Sequence, residues 1–349
     1  MSNTPLLVIY TGGTLGMLPS DTGLVPGHDF EARLRGALKT LPPARQASLP
    51  EFEVLEYPDP IDSSAATPAD WQRLARDIAG RYADPQKRYA GFLVLHGTDT
   101  LAWTASSLAF QLQGLDRAVV VTGSQLPLEA GGSDALGNIE AALRFATLPG
   151  LQEVAVCFAG KLMRGVHTRK WHTHAFDGFT SPNYPLLGEM VDTAPVLYPS
   201  RGLDSQQRGL PRFELPDYSA LDDTAVVRIA LWPGVSARLL AAWLLDDSVQ
   251  GALLEVWGSG NIPEDPEILG VLAQATGEGK LLAAISQCPH GSVSIGTYAA
   301  GSGLLDAGVL SGDAMTPEAA MTKLVHLVAQ PLSDAEKRQR FVVALAGEL

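Results

Sequence analysis

The chain has 349 residues, 46% of them hydrophobic, and contains no run of eighteen apolar residues, which argues against a membrane protein. Its formal net charge of −13 opposes binding to phosphate backbones, and no local basic patch stands out, so we expect a small-molecule partner and neither nucleic acid nor membrane. The two cysteines, Cys157 and Cys288, lie in or beside apolar runs, and no basic residue precedes the first apolar stretch, which together predict a cytoplasmic protein without disulfides.

Short apolar runs in the first half of the chain predict strands at 5–10, 91–95, 118–122 and 154–158. They lack alternation, which is typical of parallel strands buried on both faces. Amphipathic patterns between them predict helices at 68–83, about 100–113 and about 134–147. The first helix has the clearest start, because Thr67 can cap it and Pro68 suits its first position.

Residues 195–223 lack periodicity and are rich in proline, glycine and polar side chains, which predicts a linker. After it, strands are predicted at 224–231, 251–256 and 281–286, with helices at about 235–245, about 265–277 and, as a pair, after 317. We therefore predict an α/β protein of two domains. Residues 1–194 form a larger domain whose mostly parallel sheet is flanked by helices, and residues 224–349 form a smaller, flavodoxin-like domain.

Polar clusters follow several predicted strands at the point where each strand ends, including a further strand predicted in the run EFEVLEY at 51–57. They are TGGT at 11–14, DPIDSS at 59–64, HGTDT at 96–100 and the stretch AGKLMRGVHTRK at 159–170. Ligands of open α/β sheets bind beyond the carboxyl ends of the strands, so these clusters are expected to converge in one crevice.

The residue types in these clusters indicate acyl transfer from an amide or ester. A threonine hydroxyl is a weak nucleophile that needs a base, and a desolvated lysine can supply one. We expect the glycines at 12 and 13 to leave backbone N–H groups accessible to an oxyanion. Taken singly, each cluster also has a structural interpretation: TGGT as a turn, DSS as a loop, and HGTDT as a helix start capped by Thr98 or Asp99.

Two other classes of site compete with this interpretation. A metal cluster of His167, His172, His174 and Asp177 has suitable ligand types but no spacing of a defined metal site. A nucleotide-binding loop at TGGTLG lacks the GxGxxG spacing and the P-loop lysine.

The motifs TGGTLGM, DSS, LHGTDTLAWTASSLAF, VVVTGSQLP and HTRK…FDGFTSPN resemble the bacterial L-asparaginases, in particular the type I, cytoplasmic branch. The similarity runs from about residue 6 to the end. It implies hydrolysis of L-asparagine to L-aspartate and ammonia by a threonine-dependent double displacement, without metal or organic cofactor. A tRNA-linked amidotransferase subunit shares these motifs but carries an extra N-terminal module, whereas here TGGT begins at residue 11.

The resemblance also implies roles for individual residues. Thr14 corresponds to the nucleophile, and Thr98, Asp99 and Lys170 correspond to a second triad in which lysine and aspartate polarise the threonine.

Substrate binding is implied for a second group, which comprises Gly13, Asp62, Ser63, Thr98, Asp99 and Asn261. Asp62 and Ser63 match the segment that holds the α-amino and α-carboxylate groups of the substrate. Asn261 corresponds to a residue that a neighbouring subunit contributes, so the resemblance implies a homodimer or homotetramer with shared active sites.

The chain departs from the family at Leu24 and at Arg169. Leu24 stands where the family commonly has a tyrosine that contacts the nucleophile, so the alternative is a weakened asparaginase-like protein that binds aspartate or asparagine. Tyr10 and Tyr57 are substitute bases by sequence proximity alone, and Tyr10 also suits a strand-end core position. Cys288 matches a residue near the allosteric asparagine pocket of some type I enzymes, whereas the bulk and charge of Arg169 could block an effector there.

Overall fold

A computed structural model describes residues 4–21, 23–294 and 299–349 of the chain. They form two compact units, Met1–Leu215 and Pro216–Leu349. No helix in the described ranges combines the length and the apolar character needed to cross a bilayer.

The first unit contains most of the strands. They are β1 (Leu6–Tyr10), β2 (Met17–Ser20), β3 (Gly23–Pro26), β4 (Phe52–Glu56), β5 (Phe92–Leu95), β6 (Leu112–Gln113), β7 (Val119–Thr122), β8 (Val154–Phe158), β9 (Lys161–Arg164), β10 (Arg169–Lys170), β11 (Phe179–Thr180), β12 (Gly188–Val191), β13 (Ala194–Leu197) and β14 (Arg212–Phe213). Its helices are α1 (Phe30–Leu38), α2 (Pro43–Gln46), α3 (Pro68–Tyr82), α4 (Leu101–Gln111), α5 (Ala135–Phe145) and α6 (Ser205–Arg208).

The centre of the first unit is an eight-stranded sheet with the order β13-β12-β9-β8-β7-β5-β1-β4. The five neighbouring strands β4, β1, β5, β7 and β8 run parallel to one another. Strand β9 is antiparallel to β8 and to β12, and β13 is antiparallel to β12. Strands β1, β5, β7 and β8 are buried along their whole length, which explains why the apolar runs do not alternate. The predicted mostly parallel sheet flanked by helices is thus confirmed.

Helix α3 begins as its sequence predicts. Pro68 is its first residue, and the Asp70 carboxylate accepts hydrogen bonds from the backbone N–H and the hydroxyl of Thr67. By contrast, α1 was not predicted, although Phe30, Leu34 and Leu38 lie four residues apart and are all buried in the core of this unit.

The segment predicted as a linker, 195–223, belongs mostly to the first unit. Strand β13 extends the central sheet by pairing with β12, and β14 pairs with β6. The division between the units falls after Leu215, inside the predicted linker and beyond the predicted domain end at residue 194. The sequence pattern did not reveal this because both strands are short, and β14 pairs with residues far earlier in the chain.

The second unit is a smaller α/β body. Its strands are β15 (Val226–Ala230), β16 (Gly251–Val256), β17 (Leu281–Ser286) and β18 (Leu310–Ser311), and its helices are α7 (Ala237–Leu244), α8 (Pro266–Gly277), α9 (Ala299–Asp306), α10 (Pro317–Val328) and α11 (Asp334–Phe341). The strands are parallel and lie in chain order, without the reversal of order that marks flavodoxin-like sheets, in the part that the structure describes. The prediction of a separate parallel α/β unit is confirmed, while α9 and β18 were not predicted.

Candidate active site

The carboxyl end of β1 is tied to the strands on both sides of it. The backbone N–H and the hydroxyl of Thr11 both donate to the carbonyl of Leu95 at the end of β5, at 3.0 Å each. On the other side, the N–H of Ile61 donates to the Thr11 carbonyl at 2.6 Å. These bonds bring TGGT, the loop after β4 and HGTDT to one edge of the sheet, as the sequence predicted.

Glycines allow the three segments to approach one another closely. Gly13 has a φ of +91°, and a Cβ there would overlap the backbone nitrogen of Gly97. A Cβ on Gly97 would in turn overlap the Ser63 hydroxyl. Gly13, Gly97 and Ser63 therefore form one continuous contact across the three segments, which any larger side chain at either glycine would disrupt.

Thr14 begins a 3₁₀ turn, Thr14–Gly16, that is held by its backbone. The N–H of Leu128 donates to the Leu15 carbonyl at 3.0 Å, and the N–H of Gly27 donates to the Gly16 carbonyl at 3.1 Å. Thr14 itself is half-buried, and within the described ranges its hydroxyl has no hydrogen-bonding partner. The turn thus fixes the threonine backbone and leaves the hydroxyl available.

Thr98, Asp99 and Lys170 come together although the lysine lies 72 residues after the threonine. Lys170 Nζ donates to Thr98 Oγ1 at 2.9 Å and to Asp99 Oδ1 at 2.7 Å. Thr98 is 7% exposed, whereas the Asp99 side chain is 59% exposed. The ammonium group therefore connects a buried hydroxyl to a carboxylate that is open to solvent.

A short hairpin positions Lys170. Residues Arg169–Lys170 of β10 pair with Phe179–Thr180 of β11, and Lys170 lies opposite Phe179. Phe179 is buried, and its ring packs on that of Phe158 with the ring centroids 4.7 Å apart. The sequence analysis identified Lys170 but did not predict this hairpin, because two-residue strands carry no periodic signal.

The side chain of His96 supports the HGTDT turn from within the core. Its ring is buried, with Nδ1 2.7 Å from the Gly97 carbonyl and Nε2 3.1 Å from the hydroxyl of Thr104 in α4. Burial lowers the pKa of His96, so the neutral imidazole is favoured. In that form Nδ1–H donates to the carbonyl and Nε2 accepts from Thr104, and the ring acts as a fixed support for the turn.

The structural interpretation of HGTDT as a helix cap by Thr98 or Asp99 is wrong. Helix α4 starts at Leu101, so Thr100 is the residue that precedes it. The hydroxyl of Thr100 donates to the Ser63 carbonyl at 2.7 Å, which links this turn to the loop after β4.

Asp62 and Ser63, the predicted substrate-binding residues, lie at a second 3₁₀ turn, Ser63–Ala65. Asp62 Oδ1 accepts hydrogen bonds from the N–H and the hydroxyl of Ser64, both at 2.9 Å. Ser63 is buried beside Gly97, whereas Asp62 is exposed.

Two family models match the chain: Asparaginase, N-terminal, over residues 5–201, and Glutaminase/Asparaginase C-terminal domain, over residues 225–341. The chain belongs to the asparaginase family. Similar proteins include the L-asparaginase 1 of Escherichia coli strain K12, which is 37% identical over 349 residues, covering 100% of this chain and 99% of that protein.

Solved structures of the family have the same fold. L-asparaginase I from Vibrio cholerae is 36% identical, with a TM-score of 0.86 and 99% of both chains covered. The thermostable L-asparaginase from Thermococcus kodakarensis is 30% identical, with a TM-score of 0.84 and again 99% of both chains covered. The protein is an amidohydrolase of the asparaginase type.

The departure from the family at Leu24 lies in a β-hairpin. Strands β2 and β3 pair antiparallel, with Leu24 opposite Pro19, and the leucine is 49% exposed. The sequence analysis did not predict this hairpin.

Neither tyrosine considered as a substitute base suits that role. Tyr10 is buried with its ring stacked on Phe30, and burial raises its pKa to about 12. The hydroxyl of Tyr57 donates to Asp77 in α3, and burial together with this bond raises its pKa. Both phenols keep their protons at neutral pH, so neither can take a proton from Thr14.

Of the remaining predicted residues, two belong to the second unit and one lies in β10. Asn261 is half-buried in a tight turn after β16 in the second unit, where its backbone bridges to Trp257. Cys288 is exposed beyond the end of β17, with its N–H bonded to the Ser286 hydroxyl. Arg169 is half-buried in β10, directly before Lys170.

The side chains considered as a metal cluster have different partners. The buried His167 ring stacks on Tyr184, while His172 Nδ1 accepts two backbone N–H groups of its own loop. Asp177 pairs with Lys161. Across the described part of the chain, no group of three or more such side chains could hold a metal ion.

Proposed function

We propose that this protein hydrolyses L-asparagine to L-aspartate and ammonia, with Thr14 as the nucleophile and an aspartyl ester as the intermediate. The observation that carries the proposal is the contact of Lys170 with both Thr98 and Asp99, at the same sheet edge as the Thr14 turn. Membership of the asparaginase family supports the substrate class.

In the first step, Thr14 Oγ1 attacks the carbon of the substrate's side-chain amide, and the C–N bond breaks. The threonine proton leaves with the amine as ammonia, so the enzyme is acylated and the charge balances. Backbone N–H groups of the glycine-rich turn are suited to stabilise the tetrahedral oxyanion.

In the second step, water attacks the ester carbon, the bond from that carbon to Thr14 Oγ1 breaks, and aspartate is released. Thr14 Oγ1 takes up the proton that the water loses, so the free enzyme is restored. An ammonium group only donates hydrogen bonds, so with Lys170 protonated Thr98 accepts from it and its own O–H points away from the lysine. With Lys170 neutral, the amine can instead accept the Thr98 proton, and Thr98 can accept one from water. Thr98, Lys170 and Asp99 then act as one relay.

Substrate selection follows from the charged groups at the edge. Asp99 has a carboxylate oxygen beyond the one that Lys170 contacts, and we infer that it pairs with the α-ammonium of the substrate, helped by Asp62 and Ser63. Charge-assisted hydrogen bonds of this kind contribute about 1.5–3 kcal/mol each. No step requires a metal or an organic cofactor.

We further propose a cytoplasmic homodimer or homotetramer in which Asn261 of a second copy completes each site. We also propose a test for an effector site beside Cys288, where the bulk and charge of Arg169 oppose binding: a sigmoidal rate curve would support such a site.

The test is an ammonia-release assay on asparagine and glutamine over a concentration series, combined with mass spectrometry of enzyme quenched during turnover. We expect release from asparagine and an added aspartyl mass on the peptide that contains Thr14. Turnover without any acylated peptide would exclude the nucleophile assignment. Aspartate binding without turnover would support the alternative, a weakened asparaginase-like protein. That alternative is motivated by Leu24 and by the Thr14 hydroxyl, which has no partner within the described ranges.

A further inference from the structure

Arg33, in helix α1, reaches the turn that carries Thr14. Its Nη1 donates to the Gly16 carbonyl at 2.9 Å. Its Nε and Nη2 donate to the two carboxylate oxygens of Glu129, at 2.6 and 2.7 Å. The Arg33 side chain is only 15% exposed, so its guanidinium is held on both sides in a largely buried position.

The segment that supplies Glu129 holds the same turn from the other side. The N–H of Leu128 donates to the Leu15 carbonyl, one residue before the carbonyl that Arg33 contacts. Two successive carbonyls after Thr14 are thus fixed by neighbouring groups, and the Arg33–Glu129 pair ties those groups together.

Glycines provide the space for this arrangement. A Cβ on Gly27 would overlap Nη1 of Arg33, and a Cβ on Gly16 would overlap the hydroxyl of Tyr10. Gly16 and Gly27 flank the two ends of the β2–β3 hairpin, and the Gly27 N–H donates to the same Gly16 carbonyl. The arginine therefore contacts the base of the hairpin at the point where the turn of Thr14 ends.

We propose that Arg33, oriented by Glu129, is a positioning residue that fixes the Thr14–Gly16 turn for attack on the substrate. This inference rests on the proposed function of Thr14. Because Thr14 Oγ1 has no side-chain partner within the described ranges, its direction depends on the backbone of the turn. A shift of about 1 Å in a reacting group can reduce a rate by about 10²-fold, so a clamp on that backbone has a direct effect on acylation.

The same helix offers a matched control. Arg35 also contacts a glutamate and a backbone carbonyl, with Nε 2.8 Å from Glu31 and Nη2 3.1 Å from the Phe52 carbonyl. It is 43% exposed, and its carbonyl partner is in β4 rather than in the Thr14 turn. A substitution at Arg35 thus removes the same kinds of bond without affecting the turn.

The experiment compares Arg33→Gln with Arg35→Gln in single-turnover ammonia release, with enzyme in excess over asparagine, and in a steady-state assay that gives KM. We expect Arg33→Gln to slow acylation by about 10²-fold while KM changes less than about threefold, and Arg35→Gln to stay within about twofold of the parent enzyme. Arg33→Lys should have an intermediate rate, because a lysine keeps the charge but not the planar fork.

Equal acylation rates in Arg33→Gln and Arg35→Gln would overturn the proposal. If Arg33→Gln does not fold, as judged by circular dichroism, Glu129→Gln decides in its place: we expect about tenfold slower acylation, and an unchanged rate would overturn the proposal. Failure of the underlying function is distinguishable, since the parent enzyme would then turn over without an aspartyl adduct on Thr14.

Discussion

The two threonines of the candidate site are held in opposite ways. The Thr98 side chain is part of a polar network, with Lys170 donating to its hydroxyl and Asp99 sharing the same ammonium group. Thr14 has a hydroxyl without a partner in the described ranges, and its position comes from backbone bonds to Leu15 and Gly16. In the proposed function, the group that transfers protons is held through its side chain, whereas the nucleophile is positioned through its backbone and still needs a base.

The largest expected effect tests the accessible threonine. We expect Thr14→Ala to abolish steady-state turnover and to retain L-aspartate binding in calorimetry, because the substitution removes only the attacking oxygen. Thr14→Ser, which keeps a hydroxyl, should recover part of the rate. Substantial ammonia release by Thr14→Ala would show that another group is the nucleophile.

A double-mutant cycle tests whether the connected threonine acts as one unit with its lysine. Lys170→Met should reduce kcat by about 10²–10⁴-fold, and combining it with Thr98→Ala should cost little more than the worse single substitution. The control is Lys161→Met, since Lys161 forms a similar pair with Asp177 at 2.6 Å and should affect kcat less than about twofold. Additive losses in the cycle would mean that the two groups act independently.

The third prediction concerns the close contact of Gly97 with Gly13 and Ser63. Gly97→Ala should reduce kcat/KM by about 10²-fold, because the new Cβ overlaps the Ser63 hydroxyl and forces the turns apart. Gly137→Ala in α5 is the control, since a Cβ there meets no atom within 4 Å. Comparable kinetics for the two variants would contradict the tight packing of this edge.

Leu24→Tyr probes whether Thr14 needs a side-chain partner after all. A new hydrogen bond to the nucleophile contributes about 0.5–1.5 kcal/mol, so we expect kcat to rise by up to about tenfold. The matched control is Leu24→Phe, which adds the ring without the hydroxyl and should leave kcat unchanged. If tyrosine and phenylalanine give the same kcat, another group already acts as the base for Thr14.

The smallest expected effect concerns His96, whose buried ring supports the turn that contains Thr98. The folded protein lowers the pKa of His96 below the unfolded value of about 6.5, so the unfolded chain binds more protons as the pH falls through that value. Stability should therefore decrease below about pH 6.5, by at most about 1.4 kcal/mol per pH unit from this group. In thermal melts between pH 7 and pH 5, the melting temperature should fall less for His96→Gln than for the parent protein. An equal fall in both proteins would exclude His96 as the source of the pH dependence.

Local patterns predicted the elements that form the frame of the site. The apolar runs predicted β1, β5, β7 and β8, and the polar clusters after β1 and β5 contain Thr14 and Thr98, whose roles the family resemblance implied. The sequence analysis missed Arg33 and Glu129, because a contact across 96 residues leaves no spacing signal. The only local trace was the pair Gly16 and Gly27, whose requirement for glycine becomes clear from the atoms around them.

The sequence by itself determined which residue types stand at the ends of the buried strands, since burial on both faces and the glycine-rich turns leave a pattern within a few positions. Only the tertiary structure decided that Lys170 reaches Thr98 and Asp99, and that Arg33 holds the turn of Thr14. These contacts depend on how a two-residue strand and a helix pack against distant turns. Packing of that kind is set by the whole core and not by neighbouring residues.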